Sequence, residues 1–595
     1  MAHLIDFFRR YLAEFKRHFL RYLALFLGTS LFLELVLIPL FTWFARLIQL
    51  ASGIPYISYN NLQELISHHF LGVLGLFALL GMMMLVVYLQ FVLQIQGVRL
   101  IQEGTISRHA VIKSLRTALA RLSWRSFSFF LVYFLLILPF GKYAFSTPLL
   151  DKVKIPAFTM EFFYHGWHIL ILSAFYLFVF VIGARFLFVL PLTILKKKRV
   201  RVAIRESVTI TRGFRKLTHL GFYMAAIAAF VFVLSQAFYW TLYALQTQFD
   251  KTNFALFAAI SCMTLIYLME FLVQTLAQVL LFSFILRELG FAPSDKKAAP
   301  SKTNKLFKIA TVSVSLLFMG LIILSNYVVL SGFLDKPPVT ISHRGVDDEN
   351  GVQNTIPALE LTAKEKPDYV EMDIQETADR QFIVLHDANT LALTGTAKIP
   401  QKTSLQALTE LTAHENGKSA KLVSFDVYLS AAEKLHQKLL VEIKTSRYDS
   451  SDLTDRFIQK YAARLLKNGD KIHSLDYNIV KQMKEKKPEL FVSFILPYDL
   501  ISPNTVADAY TIEATTLSFD FVDSTSRRNQ LVFAWTVNDP LTMRRMMSLQ
   551  VDGIITDNLG ELKRVIKADT NHPSYADRIR LAIEIDTGIG VSAEN

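Results

Sequence analysis

The chain reads as two different patterns joined near residue 335. Up to that point, long apolar runs alternate with short basic segments. A membrane span needs about 20 mainly apolar residues to cross about 30 Å of hydrocarbon. Seven stretches qualify: Leu23–Phe44, Phe70–Leu93, Phe127–Phe145, Trp167–Leu190, Leu220–Leu242, Phe254–Leu281 and Ile309–Leu330. Glu34, Arg185 and Glu270 interrupt three of them. Ionisable groups at such depth are costly, so each is either functional or paired helix to helix inside the bundle. Ahead of the first run, Met1–Phe19 is amphipathic and carries Arg9, Arg10, Lys16 and Arg17. It reads as a cytoplasmic interfacial helix leading into an anchor, not as a cleavable signal peptide.

Ser331–Pro338 is a short linker ending in paired prolines. After it, short β-rich runs alternate with polar helical stretches. Candidate strands are Val339–Ser342, Tyr369–Ile374, Phe382–Leu385, Leu439–Ile443, Phe491–Ile495, Thr516–Phe519, Leu531–Val537 and Gly553–Thr556. Thr355–Lys366, Phe425–His436 and Leu541–Leu549 are predicted helices. Strand and helix in alternation over about 230 residues predict a parallel α/β TIM barrel, a fold of usually about 250. The fold class is therefore an α-helical polytopic membrane domain followed by an α/β barrel. The expected divisions are residues 1–335, residues 336–570, and a tail, 571–595, that is loosely ordered or a terminal helix.

Composition and charge sharpen this picture. Of the 595 residues 52% are hydrophobic and only 19% charged, where soluble chains carry about a quarter. Lys and Arg outnumber Asp and Glu by 32 to 13 in residues 1–335, but are outnumbered 31 to 37 in residues 336–595. The basic residues flank apolar runs, which is membrane topology rather than nucleic-acid binding. Counted along the chain, the N-terminal segment holds five basic residues, the next five loops hold one, six, two, nine and one, and the sixth has five between Arg287 and Lys305. High and low values alternate. Basic residues gather on the cytoplasmic side, so seven spans with the N-terminus inside place the barrel outside the plasma membrane. The cluster Lys196-Lys197-Lys198-Arg199 is then a topology determinant facing anionic lipid. A single cysteine, Cys262, excludes an intramolecular disulfide and a cysteine-based zinc site.

Barrel enzymes carry their reactive groups at the C-terminal ends of strands. His343-Arg344-Gly345 follows the first candidate strand. Glu371 and Asp373 lie two apart on the second, hence on one face. His386-Asp387 closes the third, and Glu442 and Lys444 stand two apart at the end of Leu439–Ile443. Three carboxylates converging on one mouth repel unless positive charge sits between them. A hard divalent cation, Mg²⁺ or Ca²⁺, takes such oxygen ligands. With Arg344 and Lys444 it makes a pocket suited to a phosphate diester. The two histidines supply a group to remove a proton and another to donate one.

The run HRGVDDENGVQNTIPALELTAKEKPDYVEMDIQETADRQFIVLHD is similar to the glycerophosphodiester phosphodiesterase domain. Val441–Lys444 (VEIK), Trp535–Asn538 (WTVN) and Val551–Asn558 (VDGIITDN) match it in order. The membrane half is similar to the membrane domain found ahead of such barrels in some Gram-positive bacteria. The resemblance spans about Val339 to Leu562. It implies one divalent cation on Glu371, Asp373 and Glu442, with His343 and His386 as the acid/base pair. Arg344 and Lys444 would hold the phosphate, and Trp535 would line the glycerol pocket. The reaction implied is cleavage of a glycerophosphodiester to sn-glycerol 3-phosphate and an alcohol, either directly or through a cyclic phosphate formed by the glycerol 2-hydroxyl. Deacylated lipid headgroups and glycerophosphate polymers such as lipoteichoic acid are the implied substrates. Many relatives have Glu where this chain has Gln353. The expected role of Gln353 is to orient Arg344, leaving the other carboxylates to hold the metal. His414, His436 and His473 have no such company and read as surface or structural residues. Two other readings stand beside the hydrolase: a related barrel phospholipase, and a non-catalytic membrane sensor or transporter with an outer phosphodiester-binding barrel.

Overall fold

The computed structural model describes residues 2–58, 61–137, 147–150, 155–156, 159–160, 163, 166–291, 305–331, 336–499, 501–570 and 574–587. The chain divides into two compact units. One comprises Met1–Gly53, His69–Val153 and Thr159–Ser331; the other joins Ile54–His68 and Lys154–Phe158 to Gly332–Asn595.

In the first unit, six helices among the described residues are long and apolar enough to cross a membrane. They are Phe19–Ala51, Phe70–Gln102, His168–Leu195, Phe214–Phe249, Ala255–Glu288 and Lys305–Leu330. The expected third span, Phe127–Phe145, starts within the helix Trp124–Ile137, and its remainder lies outside the described residues. The expected interfacial helix forms as Ala2–Arg17. Its Phe7 and Tyr11 are buried, and Arg287 lies over the rings of Phe7, Tyr223 and Phe284 at 5.0, 4.6 and 5.3 Å. One guanidinium thus docks the helix by cation–π contact. The intramembrane ionisable residues coincide with local features. Glu34 sits in a π-helical turn, Leu33–Leu37, where the ordinary hydrogen-bond ladder slips by one residue. Arg185 donates to the Thr211 carbonyl beside the helix break at Phe186. Glu270 accepts from Gln274 Nε2 at 3.0 Å.

In the second unit the strands, in chain order, are β1 Val339–Ser342, β2 Tyr369–Glu376, β3 Phe382–Val384, β4 Thr412–Glu415, β5 Lys418–Lys421, β6 Leu439–Ile443, β7 Lys471–Ser474, β8 Val492–Leu496, β9 Ala509–Glu513, β10 Leu531–Trp535 and β11 Gly553–Thr556. Eight of them, β1, β2 and β6 to β11, pair in parallel and close through β1–β2. The TIM barrel is therefore present. β3 is not one of the eight: it folds back antiparallel on β2. The hairpin β4–β5 is a separate two-stranded sheet.

Two barrel strands, β7 and β9, are absent from the sequence expectation, and Thr516–Phe519 is not a strand. Threonines there look β-prone, but residues 514–516 form a turn. Ser518 then caps the helix Phe519–Ser526 by accepting from Phe521 N. The strand lies just before, where Tyr510 and Ile512 are buried in the layer beneath the helices and Thr511 and Glu513 alternate with them. β7 is only four residues long and begins with lysine, so its alternation is too short to stand out. The three predicted helices form, with bounds shifted slightly: Ile356–Thr362 followed by a 3₁₀ turn, Phe425–Lys434 and Pro540–Ser548. In the tail, Tyr575–Thr587 is a helix with Ile579 and Ile583 buried.

Alternation along the strands separates two apolar layers. Val370, Met372, Val441, Ile472 and Phe494 face the surrounding helices. Ile341, Leu440, Ala509, Phe533 and Ile555 fill the barrel axis. Gly553 belongs to this inner packing: a Cβ there would stand 2.8 Å from Phe533 and Val339 side-chain carbons.

Asp470 pins the start of β6. Its Oδ1 accepts from Leu439 N and Asn468 Nδ2, both at 2.7 Å, and burial pushes its carboxyl up to about 7 from 3.8. Between those values the folded state holds a proton that the unfolded chain releases. Stability from this group is therefore complete below about pH 4 and is lost as pH rises through about 7. Thermal melts at about pH 5 and about pH 8 check this: Asp470→Asn should gain on the wild type at the higher pH and lose its advantage at the lower.

Candidate active site

The mouth is built by the register of adjacent strands. Asp373 on β2 pairs with Glu442 on β6, and Glu442 pairs with His473 on β7. These three side chains share one inward level, with Glu371 two residues earlier on β2. All four are buried, Glu371 2%, Asp373 1%, Glu442 8% and His473 2% exposed. Burying this much carboxylate is unfavourable unless it is matched by positive charge and hydrogen bonds.

The matching is visible residue by residue. Lys444 Nζ lies 2.9 Å from Glu442 Oε1 and 3.4 Å from Asp373 Oδ1. Burial would lower its pKa, but Glu442 and Asp373 outweigh that and hold the ammonium above its ordinary range. Burial would raise Asp373, yet Lys444, His386 and Arg344 hold it well below the usual carboxylate range. Asn354 locks the same residue from two sides, donating to Asp373 Oδ2 at 2.8 Å and accepting from Asp373 N at 3.1 Å. The HRG turn supplies the next contact. Arg344 and Gly345 take left-handed φ of 51° and 69°, which only glycine adopts freely. This turn aims the Arg344 backbone N–H at Glu371 Oε2, 2.8 Å away.

Arg344 also donates through Nη1 to Gln353 Oε1 at 2.8 Å. Gln353 in turn donates to Glu415 from its backbone N, 2.8 Å, and its Nε2, 2.6 Å. Gln353 therefore stands between Arg344 and a carboxylate carried on β4. A negative charge reaches this corner from Glu415 even though position 353 has none.

Each of the two predicted histidines rests on its own carboxylate. His343 Nδ1 is 2.8 Å from Asp557 Oδ1, and Asn538 holds the other Asp557 oxygen at 2.7 Å. His386 Nδ1 is 2.9 Å from Asp387 Oδ1. Burial would raise Asp557, but the His343 hydrogen bond and charge keep it below its ordinary value. Asp387 is lowered chiefly by its bond with His386. Such pairing at Nδ1 fixes the ring and leaves Nε2 for a substrate. His386 reaches the mouth by an unexpected route. It follows β3, which returns along β2, and Leu385 N bonds the Asp373 carbonyl at 3.1 Å. Gln375 Nε2 then holds the His386 and Asp387 carbonyls, at 3.3 and 2.7 Å.

Trp535 ends β10, half-buried against the axial apolar cluster, with its Nε1 donating to the Thr511 carbonyl at 3.2 Å. His414 donates to or accepts from Ser419 on the β4–β5 hairpin at 2.8 Å and is exposed. His473, read from sequence as surface or structural, instead stands inside the cluster. Its Nε2 lies 3.5 Å from Glu371 Oε1. Asp557, Asp387, Asn354, Gln375 and Glu415 also act at the site without having been assigned roles from sequence. Asn354, Gln375, Asp387 and Asp557 lay within the matched motifs; Glu415 lay outside them.

One ligand atom from each of Glu371, Glu442 and His473 lies within 4.8 Å of the other two. Asp373 Oδ1 is buried without a hydrogen-bond partner beside them. This donor set fits a divalent cation.

A parallel α/β barrel with paired imidazoles and carboxylates at its mouth, joined to a polytopic helical unit, defines a class that comparison with known proteins resolves. The membrane domain of glycerophosphoryl diester phosphodiesterase matches residues 8–325, and the glycerophosphoryl diester phosphodiesterase family matches residues 343–561. The chain belongs to the glycerophosphoryl diester phosphodiesterase family and is a membrane-bound glycerophosphodiester phosphodiesterase. It is 26% identical over 230 residues to the Bacillus subtilis protein YhdW, covering 36% of this chain and 93% of that one. It is 24% identical over 238 residues to the glycerophosphodiester phosphodiesterase of Caldanaerobacter subterraneus, covering 38% and 98%. A solved glycerophosphodiester phosphodiesterase from Parabacteroides distasonis aligns at 25% identity and a TM-score of 0.36, covering 40% of this chain and 99% of that one.

The carboxylate behind His343 gives a sharp expectation. Asp557→Asn keeps the size but removes the charge that orients the ring. It should lower kcat on the order of 10²-fold or more with little change in KM. Steady-state kinetics on the purified protein check this.

Proposed function

We propose that this protein carries out metal-dependent hydrolysis of glycerophosphodiesters at the outer face of the plasma membrane, releasing sn-glycerol 3-phosphate and an alcohol. The observation that carries it is the pair of histidines, each oriented by a carboxylate, placed around Arg344, Lys444 and the buried acidic cluster. Glu371, Asp373 and Glu442 would hold one divalent cation, Mg²⁺ or Ca²⁺. When bound, such an ion neutralises phosphate oxygens and stabilises the charge that develops on them. Arg344 and Lys444 orient the phosphate, with Gln353 fixing Arg344. Trp535 lines the glycerol side. Through their Nε2 atoms, His343 and His386 divide the proton work: one takes the proton of the attacking water or glycerol 2-hydroxyl and the other gives one to the leaving alcohol oxygen. Where the 2-hydroxyl attacks, a water then opens the cyclic phosphate to sn-glycerol 3-phosphate. Deacylated lipid headgroups and glycerophosphate polymers share the glycerol phosphate these groups would grip. The proposed division places the membrane domain in 1–335, the barrel in 336–570 and an appended tail in 571–595.

The sidedness has independent support. Ile54–His68, which joins the first two long helices, belongs to the barrel's compact unit. Tyr56 packs on Phe494 and Tyr477 with ring centroids 4.7 and 5.4 Å apart, and Asn504 N donates to the Pro55 carbonyl at 2.8 Å. If that loop and the barrel share one side of the membrane, the number of crossings between them is even. Among the described residues five long helices follow the loop, and the helix Trp124–Ile137 begins the further span expected from the sequence; with it the number of crossings is even. This parity agrees with seven spans and with the basic loops lying on the opposite side.

Detergent-purified full-length protein should release glycerol 3-phosphate from glycerophosphocholine, and both EDTA and His343→Ala should abolish the release. A wild type no more active than His343→Ala would overturn the proposal. Presenting the same headgroup free and on a vesicle-anchored polymer separates the two substrate classes.

Sidedness is tested by cysteine labelling, made clean because the native Cys262 is buried. In intact cells a membrane-impermeant maleimide should react with Gln63→Cys and Tyr448→Cys. It should reach Lys196→Cys only after permeabilisation.

A further inference from the structure

His473 has no place in the proton chemistry or the phosphate grip, yet it occupies a costly position. It is 2% exposed, and neither Nδ1 nor Nε2 has a hydrogen-bond partner. A buried imidazole left unsatisfied costs free energy that an apolar residue of similar size would not. Its surroundings explain why it is there. β7 pairs with β6 so that His473 stands beside Glu442. Its Nε2 points at the acidic cluster, 3.5 Å from Glu371 Oε1. That spacing is too long for a good hydrogen bond but suits two ligands of one ion. Donors about 2.2 Å from a cation and at right angles stand about 3.1 Å apart. The three ligand atoms of Glu371, Glu442 and His473 also fall within 4.8 Å of one another.

We propose that His473 supplies a nitrogen ligand to the divalent cation, completing an otherwise all-oxygen set. The inference rests on the metal-dependent reading above and deepens it. It has a chemical consequence. Mg²⁺ and Ca²⁺ are hard ions that favour oxygen, whereas imidazole suits first-row transition ions. A site with one imidazole among carboxylates therefore turns its preference toward ions such as Mn²⁺ or Zn²⁺ and away from Ca²⁺.

The test uses the full-length protein in detergent, loaded with Mn²⁺ and read by pulsed electron paramagnetic resonance. The wild type should show ¹⁴N coupling from a directly bound imidazole. His473→Gln should lose that coupling, and its preference for Mn²⁺ over Ca²⁺, measured by calorimetric titration, should fall roughly tenfold or more. The wild-type spectrum needs no variant to fold, so it decides the matter alone. A Mn²⁺ signal without nitrogen coupling that disappears in Glu442→Gln would leave the metal site standing and overturn the role of His473. No Mn²⁺ binding to the wild type would overturn both.

Discussion

The rest of the barrel's mouth depends on how buried negative charge is balanced there. Asp373 is 1% exposed and Glu371 2%, and neither could stay ionised in an apolar barrel without compensation. Three devices supply it. Lys444 reaches across from β6 to two carboxylates. The left-handed HRG turn aims a backbone N–H at Glu371. Asn354 satisfies Asp373 through both its side chain and its backbone. Each device comes from a different segment, so the site exists only when the barrel is closed.

The histidines obey the same logic at the rim. Each is tied through Nδ1 to a carboxylate, which fixes orientation and leaves the other nitrogen available. The two ties are built differently. Asp387 is the immediate neighbour of His386, and Gln375 braces that loop. Asp557 comes from the end of β11 to meet His343 at the end of β1. These are adjacent strands in the closed sheet though they stand at opposite ends of the barrel sequence. Closure of the barrel and assembly of the His343–Asp557 pair are one event.

The membrane half is built on other rules. Some of its buried polar groups pair from helix to helix, as Gln102 does with Ser283 at 2.7 Å and Asn326 with Thr264 at 3.1 Å. Arg287 does three things at once, holding the amphipathic N-terminal helix through Phe7, packing on Tyr223 and Phe284, and pairing with Glu288 at 2.9 Å. Basic residues flank its apolar runs. Of the ionisable residues inside the runs, Glu34 sits in a π-helical turn and Arg185 at a helix end.

The sequence by itself determined the two-part architecture, because apolar runs of bilayer length and short alternating strands are patterns that need no partner to be read. It also singled out the ordered polar residues His343, Arg344, Glu371, Asp373, His386, Glu442 and Lys444, among which Glu371 and Asp373, and Glu442 and Lys444, stand two apart. Tertiary structure alone decided the rest. β7 is four residues long, so nothing local marks His473 as inward-facing; that follows from its register beside Glu442. β3 has the composition of any barrel strand, and only its antiparallel pairing with β2 shows how His386 is carried back to Asp373. Asp557 and Glu415 lie 214 and 62 residues from the partners they hold. Contacts across such distances are set by how the sheet closes and where the β4–β5 hairpin packs. Neither leaves a periodic trace in the chain.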